Sequence, residues 1–278
     1  MLSYRHAYHA GNYADVLKHL VLASTLEYMT RKDKPLLYLD THAGAGRYRL
    51  SESMAQKKAE YRDGVGRLWG RDLPDVLTPL MAVLERLNPT GKLEYYPGSP
   101  LIAAELLRPQ DRLRLFELHP SDLRLLTGNF AADRRVRIED SDGFASLKAL
   151  LPPPSRRALV LIDPPYEQKD DYRRVVRAVL EGYQRFPTGT CLVWYPVVDR
   201  SRIDEMARGL KAGGIRNLWQ VELGLAPDSE GFGMTSSGLF MINPPWILEA
   251  ELKEALPELA KRLAPEQGRW MLQQLVGE

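Results

Sequence analysis

The sequence predicts an α/β protein built on a seven-stranded, mainly parallel, doubly wound sheet with helices on both faces. Two observations predict it. Short apolar runs alternate with segments of helical periodicity, and one run after another stops at an acid. Residues 36–39 end in Asp40, 113–116 at Glu117, 136–139 near the 140–142 segment with Asp142, and 158–162 at Asp163. Residues 191–195, 218–223 and 239–242 supply three further strands. Open parallel sheets bind ligands beyond the carboxyl ends of their strands. Acids gathered at that edge are costly unless paired or bound to something, so packing alone does not explain them.

The elements between the strands follow in order. Asn12 can cap a helix over 13–30. Residues 47–96 break the strand–helix rhythm. They are mostly helical in pattern, carry Pro74, Pro79 and Pro89, and begin with seven cations (Arg47, Arg49, Lys57, Lys58, Arg62, Arg67, Arg71) against three acids up to position 71. This stretch is expected to form a small inserted helical subdomain, with 1–46 and 97–278 forming the main domain. Because it leaves the core right after a glycine turn, it should stand beside the functional edge and hold phosphates there. Ser99-Pro100 reads as an N-cap followed by proline at the first helical position.

Composition narrows the function. The 278 residues are 44% apolar with a net charge of +2, so a sizeable core forms and any nucleic-acid surface must come from local clustering. The single cysteine, Cys191, excludes an internal disulfide and argues against a cysteine zinc site. No apolar run approaches a membrane span. A cytoplasmic, monomeric protein is the expectation.

Four motifs carry chemistry. In Asp40-Thr-His42-Ala-Gly44-Ala-Gly46, glycine allows a tight turn and close approach of backbone to a ligand. Arg49 stands where dinucleotide enzymes place a third glycine, which disfavours a nicotinamide cofactor. Glu117 can accept hydrogen bonds from both hydroxyls of a ribose; the plain alternative is a surface acid. Asp142-Gly143-Phe144 can read an adenine amine and stack on its ring, or cap a helix, or both. Asp163-Pro164-Pro165-Tyr166 carries the most weight. An adenine amine is a poor nucleophile because its lone pair is delocalised into the ring. Asp163 and the carbonyl of Pro164 can accept both N–H bonds and aim the lone pair at a methyl donor. The prolines stiffen the backbone and Tyr166 offers a stacking face. Asn243-Pro-Pro-Trp246 looks similar but follows the last strand, away from the expected switch point, and reads as structural. His6, His9, His19 and His42 match no metalloenzyme spacing, so no metal is expected.

These motifs resemble the successive motifs of class I S-adenosylmethionine methyltransferases that act on amino nitrogens, a Rossmann-like fold. The N-terminal Met-Leu-Ser-Tyr-Arg-His-Ala-Tyr-His-Ala-Gly-Asn, the blocks 14–19, 38–48 and 95–102, Glu117-Leu-His-Pro-Ser121 and Asp163-Pro-Pro-Tyr-Glu167 resemble the ribosomal large-subunit methyltransferase J family. The resemblance implies methylation of the N6 amine of an adenine in 23S rRNA. It implies a cofactor pocket of His19, His42, Ser99, Glu117, Asp142, Gly143 and Asp163, with Asp163 catalytic, Tyr4 touching substrate, and a helical insert. A DNA adenine-N6 methyltransferase shares the chemistry, but the chain has no helix-turn-helix or zinc module. A glutamine side-chain methyltransferase favours Asn at the position of Asp163. A non-catalytic RNA-binding module leaves the strand-end acids unexplained.

Overall fold

In the computed structural model, residues 4–228 and 233–278 are described. The N-terminal Met-Leu-Ser of the motif block lies outside them. The main sheet is built from β1 (Leu37–Asp40), β4 (Arg112–Phe116), β5 (Val136–Glu139), β6 (Ala158–Ile162), β7 (Thr190–Val197), β8 (Leu218–Gly224), β9 (Ser236–Ile242) and β10 (Arg269–Val276). Their order is β10-β8-β9-β7-β6-β1-β4-β5. From β5 to β7 every pairing is parallel, whereas β9 opposes both its neighbours and β10 opposes β8. The mainly parallel sheet is therefore as expected, with eight strands rather than seven. The eighth, β10, was missed because it is a half-exposed edge strand with no clean alternation.

The strand order reverses between β1 and β6, which pair directly with Asp40 opposite Leu161. The similar Asn243-Pro-Pro-Trp246 ends β9, which runs the other way, so it lies at the opposite edge of the sheet. There Asn243 donates from Nδ2 to the carbonyls of Pro187 and Gly189, and Trp246 is left 79% exposed.

Both faces of the sheet are covered. β6 alternates, with Leu159 and Leu161 packing to one side and Ala158, Val160 and Ile162 to the other. The second side is closed by α6 (Gly143–Leu150), α7 (Asp171–Arg185) and α8 (Arg200–Ala212). The first holds α1 (Tyr13–Thr30), α3 (Thr78–Leu87), α4 (Ser99–Leu106) and α9 (Leu248–Leu263), and α5 (Pro120–Phe130) adds Leu126 and Phe130 to the same cluster. Asn12 caps α1 as expected, accepting from the Asp15 N–H at 3.0 Å. This helix is buried from Tyr13 to Leu26, and so it carries Asp15, Lys18 and His19 into the interior beside the site.

Residues 47–96 begin with β2 (Arg47–Arg49) and end at β3 (Tyr95–Pro97), which pair antiparallel and bring the two ends of the segment together. Between them lie α2 (Ser53–Lys58), three single-turn 3-10 helices and α3. Arg67 donates to the carbonyls of Arg262 and Leu263, closing the end of α9.

At the amino edge of the sheet, Arg108 spans three carbonyls, those of Thr30, Lys32 and Lys34, and also grips the fully buried Asp111. It closes the end of α1, where the last carbonyls have no helical partner. Arg108→Ala removes these bonds and leaves a buried carboxylate without its cation. Urea unfolding should show a loss of about 2–4 kcal/mol; a variant as stable as the parent would mean that the clamp contributes nothing net.

Candidate active site

Two cavities open at the carboxyl edge and meet at Asp163. The first takes in His19, His42, Gly44, Ser99, Glu117, Asp142, Gly143 and Phe144, together with Asp163 and Pro164. The chain has brought most of the sequence-singled residues into one cleft. Glu117 is locked in place by the N–H groups of Gly44 (2.8 Å, to Oε2) and His119 (2.6 Å, to Oε1). Burial raises its carboxyl above the usual range, against the pull of those two bonds. Each oxygen takes one of these bonds and keeps capacity for a second, and the residue lines the cleft, so a pair of ribose hydroxyls could be met there.

Backbone approach explains the glycine turn. Gly44 has φ +61°, and a Cβ there would sit 2.4 Å from the Tyr48 hydroxyl. Gly143 is tighter still: a Cβ would lie 2.0 Å from the Thr41 carbonyl. Asp142 caps α6, accepting from the Phe144 N–H at 2.9 Å, and also pairs with Arg174 at 3.4 Å. Phe144 meets His42 edge-on at 4.9 Å between centroids, with the Arg174 guanidinium over its ring. An aromatic, an imidazole and an acid beside a helix N-terminus suit a flat nitrogen heterocycle.

Three expectations need correction. Asp40 does not face the cleft. It is wholly buried and accepts from the Tyr38 and Ser99 hydroxyls at 2.8 and 2.7 Å, and burial pushes its carboxyl up to about 6. Ser99 is not the cap of α4, since Gly98 holds that place and the serine hydroxyl bonds Asp40 instead. Gly46 lies behind the cleft, where a Cβ would meet Phe130 at 2.9 Å, so its glycine serves packing.

The second cavity, about 540 Å³, is walled by Tyr166, Tyr172, Trp194, Pro196 and Met234, and shares Tyr4, His6, Lys18 and Asp163 with the first. Tyr166, at φ +50°, donates its hydroxyl to the Trp194 carbonyl at 2.6 Å. That bond fixes the ring as a wall.

Sequence reasoning missed the group that organises both cavities. Lys18, 4% exposed, donates to Asp163 Oδ2 at 2.6 Å and to Asp15 Oδ1 at 2.9 Å. The other oxygen of Asp15 accepts from the Gly11 N–H at 2.9 Å and from His6 Nε2 at 2.8 Å. Because a carboxylate only accepts, Nε2 carries the hydrogen, and Nδ1 shares a hydrogen bond with the Tyr4 hydroxyl at 2.9 Å. Burial works against the lysine charge, but Asp15 and Asp163 outweigh it and hold the ammonium above the ordinary lysine range. Burial also works against Asp15, but the hydrogen bond from His6 and the Lys18 ammonium hold its carboxyl well below the usual range. The available signal was an acid and a lysine three residues apart on one helix, both inside an otherwise apolar face. Of the other histidines, His9 bonds Glu60 and His19 bonds the Tyr96 hydroxyl at 2.8 Å.

Residues 47–96 reach this region through their first turns. Glu60 binds His9 and Asn12, and Lys57 lies over the Tyr8 ring at 5.8 Å. Lys58 reaches Glu60 at 3.7 Å, and Arg62 lies over Tyr61.

A doubly wound sheet with strand-end acids and a glycine turn at its switch point defines a Rossmann-like fold with a nucleotide-sized site. The chain belongs to the family described as Ribosomal RNA large subunit methyltransferase D, RlmJ, which it matches over residues 33–276. It is 54% identical over 281 residues, with 100% of both chains covered, to Ribosomal RNA large subunit methyltransferase J of Haemophilus influenzae. It is 55% identical over 266 residues, with 95% of each covered, to the protein of the same name from Escherichia coli. A crystal structure of a Legionella pneumophila protein, 39% identical, superposes with a TM-score of 0.89 over 96% of this chain and 98% of that one.

His19 and His42 give the site a pH signature. Burial brings His19 down to about 3; burial, then the charge of Arg174, does the same to His42. Both are neutral when folded and protonate near 6.5 when unfolded, so their contribution is whole above 6.5 and is lost as pH falls toward 3. Asp40 acts oppositely: it keeps its proton up to about 6 when folded against 3.8 unfolded, and loses stability as pH rises through that window. His19→Gln should therefore remove about 1.4 kcal/mol per pH unit from the acid-side loss. Parallel stability–pH curves for parent and variant would mean that His19 is protonated in the folded chain.

Proposed function

We propose that this chain transfers a methyl group from S-adenosylmethionine to the N6 amine of an adenine in large-subunit ribosomal RNA. The observation that carries the reading is the place of Asp163, at the junction of two cavities, with one oxygen held by Lys18. Oδ1 takes no hydrogen bond from any described residue, and so is free to accept one. The first cavity suits the cofactor. Glu117 meets the ribose hydroxyls, Asp142 and Phe144 the adenine end, and Gly44 and Gly143 let the backbone come close. His19, His42 and Ser99 complete the walls. When bound there, S-adenosylmethionine supplies an electrophilic methyl group on a sulfonium.

The second cavity suits the target base, with Tyr166 and Trp194 as walls and Tyr4 between base and cofactor. Asp163 Oδ1 and the Pro164 carbonyl accept the two N–H bonds of the amine. That draws its lone pair out of the ring and toward the first cavity. Lys18 fixes the orientation of the carboxylate. Transfer of the methyl would leave the sulfur as a neutral thioether and make the amine cationic, and the Asp163 carboxylate lies where it would accept the proton the amine then releases. No described group of three or more His, Cys, Asp or Glu residues could hold a metal, and the scheme uses none. No described helix is long and apolar enough to cross a membrane. Residues 47–96 fit an inserted subdomain that steadies the N-terminal segment over the cleft, with a monomer working alone in the cytoplasm.

Asp163→Ala should lower turnover by at least about a hundredfold while RNA still binds, because the residue aligns an amine and grips no phosphate. Nuclease digestion and mass spectrometry of RNA treated with the parent protein should show N6-methyladenosine carrying one methyl. Near-parental turnover in the variant, or methyl on cytosine N4 or a ring carbon, would overturn the reading. Transfer to DNA with no transfer to RNA would reassign the substrate.

A further inference from the structure

The catalytic edge is a poor surface for a polyanion. Glu117, Asp122, Asp142, Asp163 and Asp171 all line the first cavity. The chain as a whole is only slightly basic, at +2. Electrostatic attraction for RNA must come from a local concentration of cations, and the cations of the early insert are partly engaged with Tyr8, Glu60 and Tyr61.

The opposite edge of the sheet has the reverse character. The segments that lead into β6, β1, β4 and β5 lie side by side there, with Leu37 opposite both Ala158 and Arg112, and Leu113 opposite Val136. They bring Arg156 and Arg157, Lys32 and Lys34, Arg108 and Arg112, and Arg134 and Arg135 to one edge, against Asp33, Asp111 and Asp133. Two of those acids are consumed locally: Asp111 is buried under Arg108, and Asp133 is clamped by Arg135. Arg157 is also spoken for, donating to the carbonyls of Met29, Lys32 and Lys34. That leaves Lys32, Lys34, Arg134 and Arg156, all exposed and in no ion pair with a described residue, beside Arg112, which is exposed but donates to the carbonyls of Pro109 and Asp111. With neighbouring strands about 4.8 Å apart, the four strands spread these cations over about 15 Å or more. Beside them runs an open groove of about 630 Å³, with Leu37, Leu150, Pro153 and Pro154 among its apolar walls and Arg112, Arg134 and Arg137 along it.

We propose that this amino edge is a second RNA-binding surface, which holds phosphates of the substrate RNA far from the methylated base. The proposal rests on the RNA methylation reading. Exposed, unpaired cations in a row attract a phosphate chain without reading its sequence, and release of its counterions supplies the affinity. The apolar groove between arginines gives an unpaired base a place to lie. The surface stands at the far ends of the strands, about 13–16 Å from the cleft by the length of these four- and five-residue strands. It therefore engages only an RNA long enough to reach from one pole to the other. The enzyme would thus select a large folded segment of ribosomal RNA over a short hairpin carrying the same target adenine.

The test replaces Lys32, Lys34, Arg134 and Arg156 together with glutamine, side chains that form no structural clamp. Binding to a long rRNA fragment should weaken about tenfold at low salt, and its log–log salt slope should fall by about 0.7–0.9 for each phosphate that is no longer neutralised. Methylation of a short hairpin, turnover at saturating long RNA, cofactor affinity and melting temperature should stay at parental values. Parental affinity and salt slope for the long fragment would overturn the proposal. So would an unchanged RNA affinity with lost binding of polyglutamate, which would make the edge a dock for an acidic protein. The binding measurement needs no methyl transfer, so a parent protein that bound long RNA through this edge but methylated none would sink the catalytic reading alone.

Discussion

One buried ammonium organises the catalytic pole. Taking a lysine charge out of water is costly unless carboxylates surround it, and Lys18 has two, Asp15 on its own helix and Asp163 at the end of β6. The pairing fixes more than charge. It ties α1 to the strand across the sheet's switch point, and it consumes one oxygen of Asp163 while leaving the other directed outward. Through Asp15 it also reaches His6 and then Tyr4, so the N-terminal segment is held over the cleft by the same charge. A residue that the burial pattern makes look like core is thereby the origin of the site's geometry.

The sheet supplies the second constraint. Parallel strands place all their carboxyl ends on one edge, and the reversal of order between β1 and β6 opens a crevice there. The first cavity fills the β1–β4–β5 side of that crevice. The second cavity lies toward β7, where Trp194 and Pro196 reach the edge. The same rule sends the other strand ends to the opposite edge, where the connecting segments carry arginine and lysine. Chain direction thus separates an acidic pole that holds the two cavities from a basic pole suited to phosphate.

Much of this was legible in the sequence, for reasons that can be named. Strand-end acids, the Asn12 cap and the rigid Asp163-Pro-Pro-Tyr166 exit are local patterns, and local patterns survive in one dimension. Asp40 shows the limit: its position at a strand end was right, but whether its carboxyl turns out to the cleft or in to Tyr38 and Ser99 depends on a neighbouring helix. Lys18 was illegible for the same reason, because its partner Asp163 lies 145 positions away. The eighth strand escaped because an edge strand buries too little to impose alternation. Asn243-Pro-Pro-Trp246 was told from its look-alike by its place after the last strand, but that it lies at the opposite edge follows from strand direction, a property of the whole sheet.

The most direct measurement is a double-mutant cycle on turnover, using Lys18→Met, Asp163→Asn and the two combined. If Lys18 acts by holding Asp163, the pair is one unit, and the double variant should be about as slow as Asp163→Asn alone. Losses that multiply would show that the two residues act independently, and would contradict the central place given to their pairing.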